Sequence, residues 1–303
     1  MNRPCPYLFF KMKFLSKIFL FYILFCINSI AFADNAKTGM DLFDSGKYQQ
    51  AMIFFMKPDA QKNAEVLNHI GYMYDNGLGV EKNPELANQW YRKASDKGFP
   101  AADFNMGLSY EQGSGVRKNM NEAIKWYLKA AEQGYPAAES KMGYLTVTGQ
   151  GIKQDFRQAR QWFERAIAHG SVHAIAELGI LYEEGHGVKK DKNHAVQYYI
   201  MGAEKGSAKA QFLLAEAYRY GRGIQNNDER SLYWYNRAAE NGSADAFDAL
   251  GSVYANAQLG QVQDRKKAGE FVEKAIEIRK KNHQIDPATA LRLRFYGVRL
   301  NPD

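Results

Sequence analysis

A four-residue phrase, glycine, any residue, glycine, then valine or isoleucine, returns along this chain every 36 residues: GLGV from Gly77, GSGV from Gly113, GQGI from Gly149, GHGV from Gly185 and GRGI from Gly221. A fixed period of that length means that one small supersecondary unit is copied, and that neighbouring copies must stack to bury a continuous core. One copy, from Pro100, reads PAADFNMGLSYEQGSGVRKNMNEAIKWYLKAAEQG. Ala102, Met106 and Tyr110 recur at steps of four with Gly107 beside them, which predicts one helix. Ala123, Trp126, Tyr127 and Ala130 recur at steps of three and four, which predicts a second.

The junctions carry their own signals. Gly113 follows the first helix, where a left-handed residue satisfies orphan carbonyls. Asn119 precedes the second helix, and its equivalents are Asn83, Asp155, Asp191 and Asn227, all strong N-cap residues. Pro84 follows Asn83 at the first helical position, where proline sacrifices no hydrogen bond. A closing glycine recurs at Gly98, Gly134, Gly170, Gly206 and Gly242. Helix termination accounts for the glycines of the phrase. A phosphate loop would need Lys-Ser or Lys-Thr after the second glycine, and a dinucleotide fingerprint a preceding strand; neither accompanies them.

Side-chain columns recur too. Trp90, Trp126, Trp162, Tyr198 and Trp234 form one, Tyr91, Tyr127, Phe163, Tyr199 and Tyr235 the next, and Ala102, Ala138, Ala174, Ala210 and Ala246 a small-residue column. Large aromatics against alanine and glycine permit close helix packing. The expected fold is all-α: an α/α solenoid, a right-handed superhelix of antiparallel helix pairs with a 36-residue period.

The pattern A-x-x-x-[LM]-G-x-x-Y-x-x-G-x-G-V, then an Asn or Asp cap, then A-x-x-W-Y-x-x-A-A and a closing Gly, resembles the Sel1-like repeat family, a relative of the tetratricopeptide repeats. The resemblance covers roughly residues 64–280, as six repeats of which the last is degenerate: Gly251 and Tyr254 keep the first helix, ANAQLGQ replaces the glycine turn, and Ala268, Phe271 and Ala275 keep the second. Residues 34–63 resemble a divergent helix pair. In residues 281–303, Asp286-Pro287 precedes ATALRLRFYGV, which reads as a capping helix over the exposed end.

Residues 1–33 form a separate segment. Arg3, Lys11, Lys13 and Lys17 precede an apolar run from Ile18 that ends Ala31-Phe32-Ala33, the pattern of a secretory signal peptide cleaved after Ala33. Met12, opening MKFLSKIF, is an alternative start. An uncleaved anchor is the competing reading, against which the apolar run is short and holds Asn28 and Ser29. Cys26 follows bulky residues where lipid modification requires small ones. Cleavage removes four of the 40 basic residues and none of the 33 acidic ones, leaving a net charge of about +3, so the basic balance argues little for nucleic acid. It also removes Cys5 and Cys26, leaving no disulfide, cysteine nucleophile or cysteine metal site.

No catalytic residue, metal site or cofactor is expected. His169 and His173 are separated by Gly170, Asp191 serves as a cap near His194, and His186 fills the variable slot of a turn. What the resemblance implies is a partner-binding groove lined by the first helices. Its positions carry over to Asn68, Phe104, Ser140, Ala176, Phe212 and Asp248; to Tyr72, Leu108, Tyr144, Ile180, Glu216 and Ser252; and to Asp75, Glu111, Val147, Glu183, Arg219 and Ala255. Asn68, Tyr72, Asp75, Phe104, Glu111, Tyr144, Glu183, Phe212 and Arg219 are the candidate contacts. The competing reading is that the aromatics pack between helices and the acids form a solvated face.

The leader, the repeat array and the lack of a catalytic constellation together point to an exported, non-enzymatic scaffold, periplasmic or secreted, that holds a protein or peptide; the resemblance links such proteins to envelope assembly, secretion or host interaction. Such a scaffold would bind no nucleic acid, and would touch a membrane only through an uncleaved leader. The alternative is a cell-wall role, either binding peptidoglycan or its enzymes, or acting as a β-lactamase-like hydrolase. Cysteine-rich relatives carry the latter activity, whereas this chain past residue 33 has neither cysteine nor an S-x-x-K motif.

Overall fold

The computed structural model describes residues 35–281. The expected leader and the helix expected over ATALRLRFYGV lie outside them. Among the described residues there are helices and no strand. Residues 35–44 form α1, followed by α2 (Tyr48–Phe55), a 3-10 turn (Ala60–Lys62), α3 (Ala64–Asn76), α4 (Pro84–Ser95), α5 (Pro100–Gln112) and α6 (Met120–Glu132). These make up a first compact unit that ends at Gln133. The second unit, from Gly134, holds α7 (Pro136–Thr148), α8 (Phe156–Ala168), α9 (His173–Glu184), α10 (Lys192–Glu204), α11 (Ala208–Tyr220), α12 (Asp228–Glu240), α13 (Ala244–Ala255) and α14 (Arg265–Lys281). Within each unit the two helices of a repeat pack most closely on each other, and the second helix of one repeat packs next on the first helix of the following one, the arrangement of an α/α solenoid.

Local chemistry builds the pairs as the sequence indicates. The side chains of Asn83, Asn119, Asp155, Asp191 and Asn227 each accept a hydrogen bond from an amide in the first turn of the following helix. Gly77, Gly113, Gly149, Gly185 and Gly221 are left-handed caps, with φ between 64° and 83°.

Termination does not account for the second glycine of the phrase. A Cβ at Gly115 would sit 2.3 Å from the carbonyl carbon of Pro84, one at Gly187 2.6 Å from that of Phe156, and one at Gly223 2.1 Å from the oxygen of Lys192. Each therefore presses the turn onto the first residues of the preceding repeat's second helix. The first glycine ends a helix; the second docks one repeat on another.

The columns also divide. Tyr91, Tyr127, Phe163, Tyr199 and Tyr235 are buried, each ring facing the helical small residue of its own repeat. A Cβ at Gly107 or Gly143 would lie 2.4 Å from the Tyr127 or Phe163 ring, so these glycines are the space the rings occupy. In the 208–243 repeat Ala215 stands at that position, packed with Tyr235. The tryptophan column is not equally internal: Trp90 is buried, but Trp126, Trp162, Tyr198 and Trp234 are half-buried. Basic side chains one turn later cover three of these rings, with Lys93 Nζ 3.8 Å from the centre of Trp90, Lys129 Nζ 5.0 Å from Trp126 and the Arg165 guanidinium 4.8 Å from Trp162.

Two carboxylates sit fully inside, one in each unit. Asp103 accepts hydrogen bonds from Ser95 Oγ (2.6 Å) and Gln133 Nε2 (2.8 Å) and pairs with Lys129 Nζ at 2.8 Å. Glu139 pairs with Arg165 at 3.1 Å and His169 at 2.7 Å. The first network ties the start of α5 to the ends of α4 and α6, and the second ties the start of α7 to the end of α8; buried charge is tolerated only with such partners.

Candidate partner-binding face

The variable columns run along the first helices, some of their side chains exposed and others packed on the second helix of the same repeat. In the first unit Tyr72 is 43% exposed, its ring 6.2 Å from that of Phe43. Asn68 is half-buried and accepts a hydrogen bond from Asn105 at 2.9 Å. Asp75 accepts one from the hydroxyl of Ser114, in the next glycine turn, at 3.2 Å. Phe104 packs 5.4 Å from the buried Tyr127 ring. In the second unit Tyr144 is 45% exposed, and Phe212 lies 5.9 Å from the buried Tyr235 ring. Ala176 is buried, so its column does not form one continuous exposed line.

The acidic column has an internal role that the sequence reading missed. Tyr127 donates its hydroxyl to Glu111 at 2.5 Å, Tyr199 donates to Glu183 at 2.6 Å, and Tyr235 donates to Glu216. The ring at position 163 is phenylalanine, which has no hydroxyl to donate, and the residue corresponding to Glu111 in that repeat is Val147. At Tyr235 that position is Arg219, and the acceptor moves to Glu216. Arg219 donates to Gln258 at 2.5 Å, while Arg222 lies between Glu183 (3.5 Å) and Glu216 (3.4 Å). Glu111, Glu183 and Arg219 are thus held in place by the frame, leaving Tyr72 and Tyr144 as the large exposed side chains among the nine candidates. The sequence signal for this pairing was the simultaneous loss of hydroxyl and acid at Phe163 and Val147.

Burial, and then the adjacent carboxylate, push the Tyr127 and Tyr199 hydroxyls far above the ordinary tyrosine value of 10.0. Tyr235 rises for the same reasons, partly offset by Arg219. Above pH ~10 the unfolded chain releases these protons while the folded chain keeps them. Stability is therefore expected to be intact below ~10 and to fall as pH rises beyond it, by up to about 1.4 kcal/mol per tyrosine per pH unit. Urea midpoints on either side of pH ~10, for wild type and Tyr127→Phe, check this. The variant should lose less on alkalinisation; equal losses would contradict the assignment.

Three of the histidines are engaged structurally. His169 faces Glu139, His186 stacks on Phe156 at 4.4 Å, and His194 stacks on Tyr182 at 4.3 Å. Among the described residues no three His, Cys, Asp or Glu side chains gather as metal ligands, and no helix is long and apolar enough to cross a membrane.

The sequence matches the Sel1 repeat at residues 64–99, 100–135, 136–171, 172–207 and 208–243. No curated protein matches it. Among solved structures, a Sel1 repeat protein from Oxalobacter formigenes is 53% identical, with a TM-score of 0.75 over 80% of this chain and 96% of the other. Protein c5321, a protective antigen present in uropathogenic Escherichia coli strains, is 26% identical, with a TM-score of 0.54 over 88% of this chain and 68% of its own. The immunity protein PA5088 of Pseudomonas aeruginosa, 19% identical at a TM-score of 0.53 over 79% and 88% of the two chains, shares the fold. With five matched repeats running from residue 64 to 243, bounded by the caps, glycines and buried rings described above, this chain belongs to the Sel1-repeat family.

Proposed function

We propose that this protein is an exported scaffold that holds a protein or peptide against the uncovered faces of its first helices, without chemistry of its own. Sel1 repeats generally mediate protein–protein interaction and are generally non-catalytic. One observation carries the reading: caps, glycines and buried rings recur from repeat to repeat, whereas the uncovered face changes and leaves Tyr72 and Tyr144 as exposed aromatics at the same repeat position. Exposed tyrosines on a rigid frame supply contact area at small entropic cost, and binding energy concentrates in such side chains.

The basic, apolar and small-residue order of residues 1–33 supports export, with the periplasm of a Gram-negative bacterium as the compartment. Fractionation of a C-terminally tagged protein, with N-terminal sequencing of the product, is expected to recover a periplasmic chain beginning at Asp34; an intact leader in the membrane fraction would overturn this part. For the binding face, Tyr72→Ala and Tyr144→Ala are each expected to weaken partner capture about tenfold or more while leaving the melting curve unchanged. Undiminished capture by both variants would contradict the assignment. These two positions test the face more cleanly than Glu111 or Glu183, whose replacement also strips a buried hydroxyl of its acceptor.

A further inference from the structure

A cleft in the second unit lies away from the uncovered faces of the first helices. Its volume is 570 Å³, and it lies between the start of α8 and the turn after α9, lined by Arg157, Arg160, Tyr182, Gly187, Val188, Lys189, Lys190 and Asp191. The turn cannot drift from α8, because Gly187 rests on the Phe156–Arg157 backbone and His186 stacks on the Phe156 ring at 4.4 Å. Two cations thus stand on each wall.

Little offsets them. The nearest carboxylate to Arg160 is Glu164, at a loose 3.7 Å, and Arg160 Nε is buried without a hydrogen-bond partner. No carboxylate pairs with Arg157, Lys189 or Lys190 among the described residues. Asp191 also lines the cleft, its Oδ1 accepting from the His194 amide at 3.0 Å, so four cations face a single lining carboxylate.

The repeat supplies an internal comparison. The corresponding cleft of the first unit, 530 Å³, is lined by Tyr110, Val116, Arg117, Lys118 and Asn119. Its turn is as basic, but the positions matching Arg157 and Arg160 are Glu85 and Asn88, and Asn88 is spent on a 2.7 Å hydrogen bond to the carbonyl of Ser114. In the following repeat the four positions are Asn193, Val196, Gln225 and Asn226. The frame is copied, and only the 172–207 copy is cationic on both walls.

We propose that this cleft binds a compact, multiply charged phosphorylated group, carried either on a lipid headgroup or on a soluble molecule. Four cations along one cleft, two of them forked guanidiniums, outnumber its single carboxylate and suit a doubly charged phosphoryl oxygen set. A single carboxylate needs only one of them, and an acidic polymer would need the basic character to continue into the neighbouring clefts, where it does not.

Titration of the purified protein with inorganic pyrophosphate, at physiological ionic strength where charges beyond ~8 Å are screened, tests the site. Saturable binding is expected, weakened about tenfold or more in Arg157→Gln/Arg160→Gln and in Lys189→Gln/Lys190→Gln, and less than about twofold in Arg117→Gln/Lys118→Gln. All three variants remove two charges, so equal weakening would reveal only a net-charge effect and overturn the proposal. Absence of saturable binding would overturn it too, as would a decaglutamate peptide binding at least as tightly with the same dependence. Flotation with phosphatidylcholine vesicles, with and without phosphatidic acid, separates the sources: retention that depends on Arg157 and Arg160 identifies a headgroup, and pyrophosphate binding without retention a soluble ligand. Melting curves establish that each variant is folded, and the lysine pair, exposed on the turn, carries the test if the arginine pair unfolds the chain.

Discussion

Gly223→Ala is expected to destabilise the second unit by about 3 kcal/mol, from strain of an L residue in the left-handed region plus overpacking. The added Cβ would sit 2.1 Å from the Lys192 oxygen and 2.4 Å from its carbon. Those atoms belong to the first turn of α10 and cannot rotate away as a side-chain tip could. Gly206→Ala provides the contrast. Gly206 has a φ of 84° but nothing within 4 Å, so only the backbone term of about 1 kcal/mol remains. Urea unfolding followed by far-ultraviolet circular dichroism measures both. Because stability in repeat arrays is shared between neighbouring units, midpoints of the same transition are the quantity to compare. Equal shifts for the two variants would mean that the second glycine of the phrase serves the turn alone.

The second large effect concerns Asp103. Lys129→Ala/Gln133→Ala removes the cation and one amide donor from a carboxylate with no exposure to solvent, and is expected to cost about 3 kcal/mol. That is the low end for a broken buried pair, because Lys129 is itself half exposed and part of its attraction is screened by water. Asp103→Leu should cost less, since Leu67 fills the equivalent position of the preceding repeat as a buried apolar side chain and Lys129 would rehydrate. Thermal melts of the two variants check the order. If Asp103→Leu proved the more damaging, the polar network would be contributing more than the satisfaction of its own buried charge.

Both effects mark where reading the chain stopped short of the fold. Gly77, Asn83 and Gly98 act through residues within a few positions of themselves, and a local signal in the sequence is a sufficient guide to them. Gly115 acts on Pro84 and Glu85, some thirty residues upstream, and nothing within its own turn announces that contact. The two aromatic columns look alike as letters. They separate only when the helix is placed against its neighbours, which bury Tyr127 and leave Trp126 half covered beneath Lys129. Asp103 and Glu139 occupy a position that is leucine, isoleucine, glutamine or phenylalanine in other repeats, so periodicity could not reveal that it lies inside.

The exposure of the candidate face was legible in outline and not in detail. Choosing the variable columns of the first helices selected Tyr72 and Tyr144, which the fold leaves exposed. The same choice took in Glu111 and Glu183 as groove charges, although each accepts the hydroxyl of a buried tyrosine sixteen residues later. Exposed tyrosines and frame-bound acids therefore share the first helices, and substitutions must be chosen to separate the proposed contact from frame maintenance.

Site-specific photo-crosslinking in living cells tests the central claim most directly, with the crosslinker placed in turn at Tyr72, at Tyr144 and at Lys125. Lys125 lies on a second helix, with 72% of its side chain exposed. The account predicts that positions 72 and 144 each capture a discrete protein partner, identified by mass spectrometry, and that position 125 does not. Capture from Lys125 with none from Tyr72 or Tyr144 would contradict it and move the binding face to the second helices.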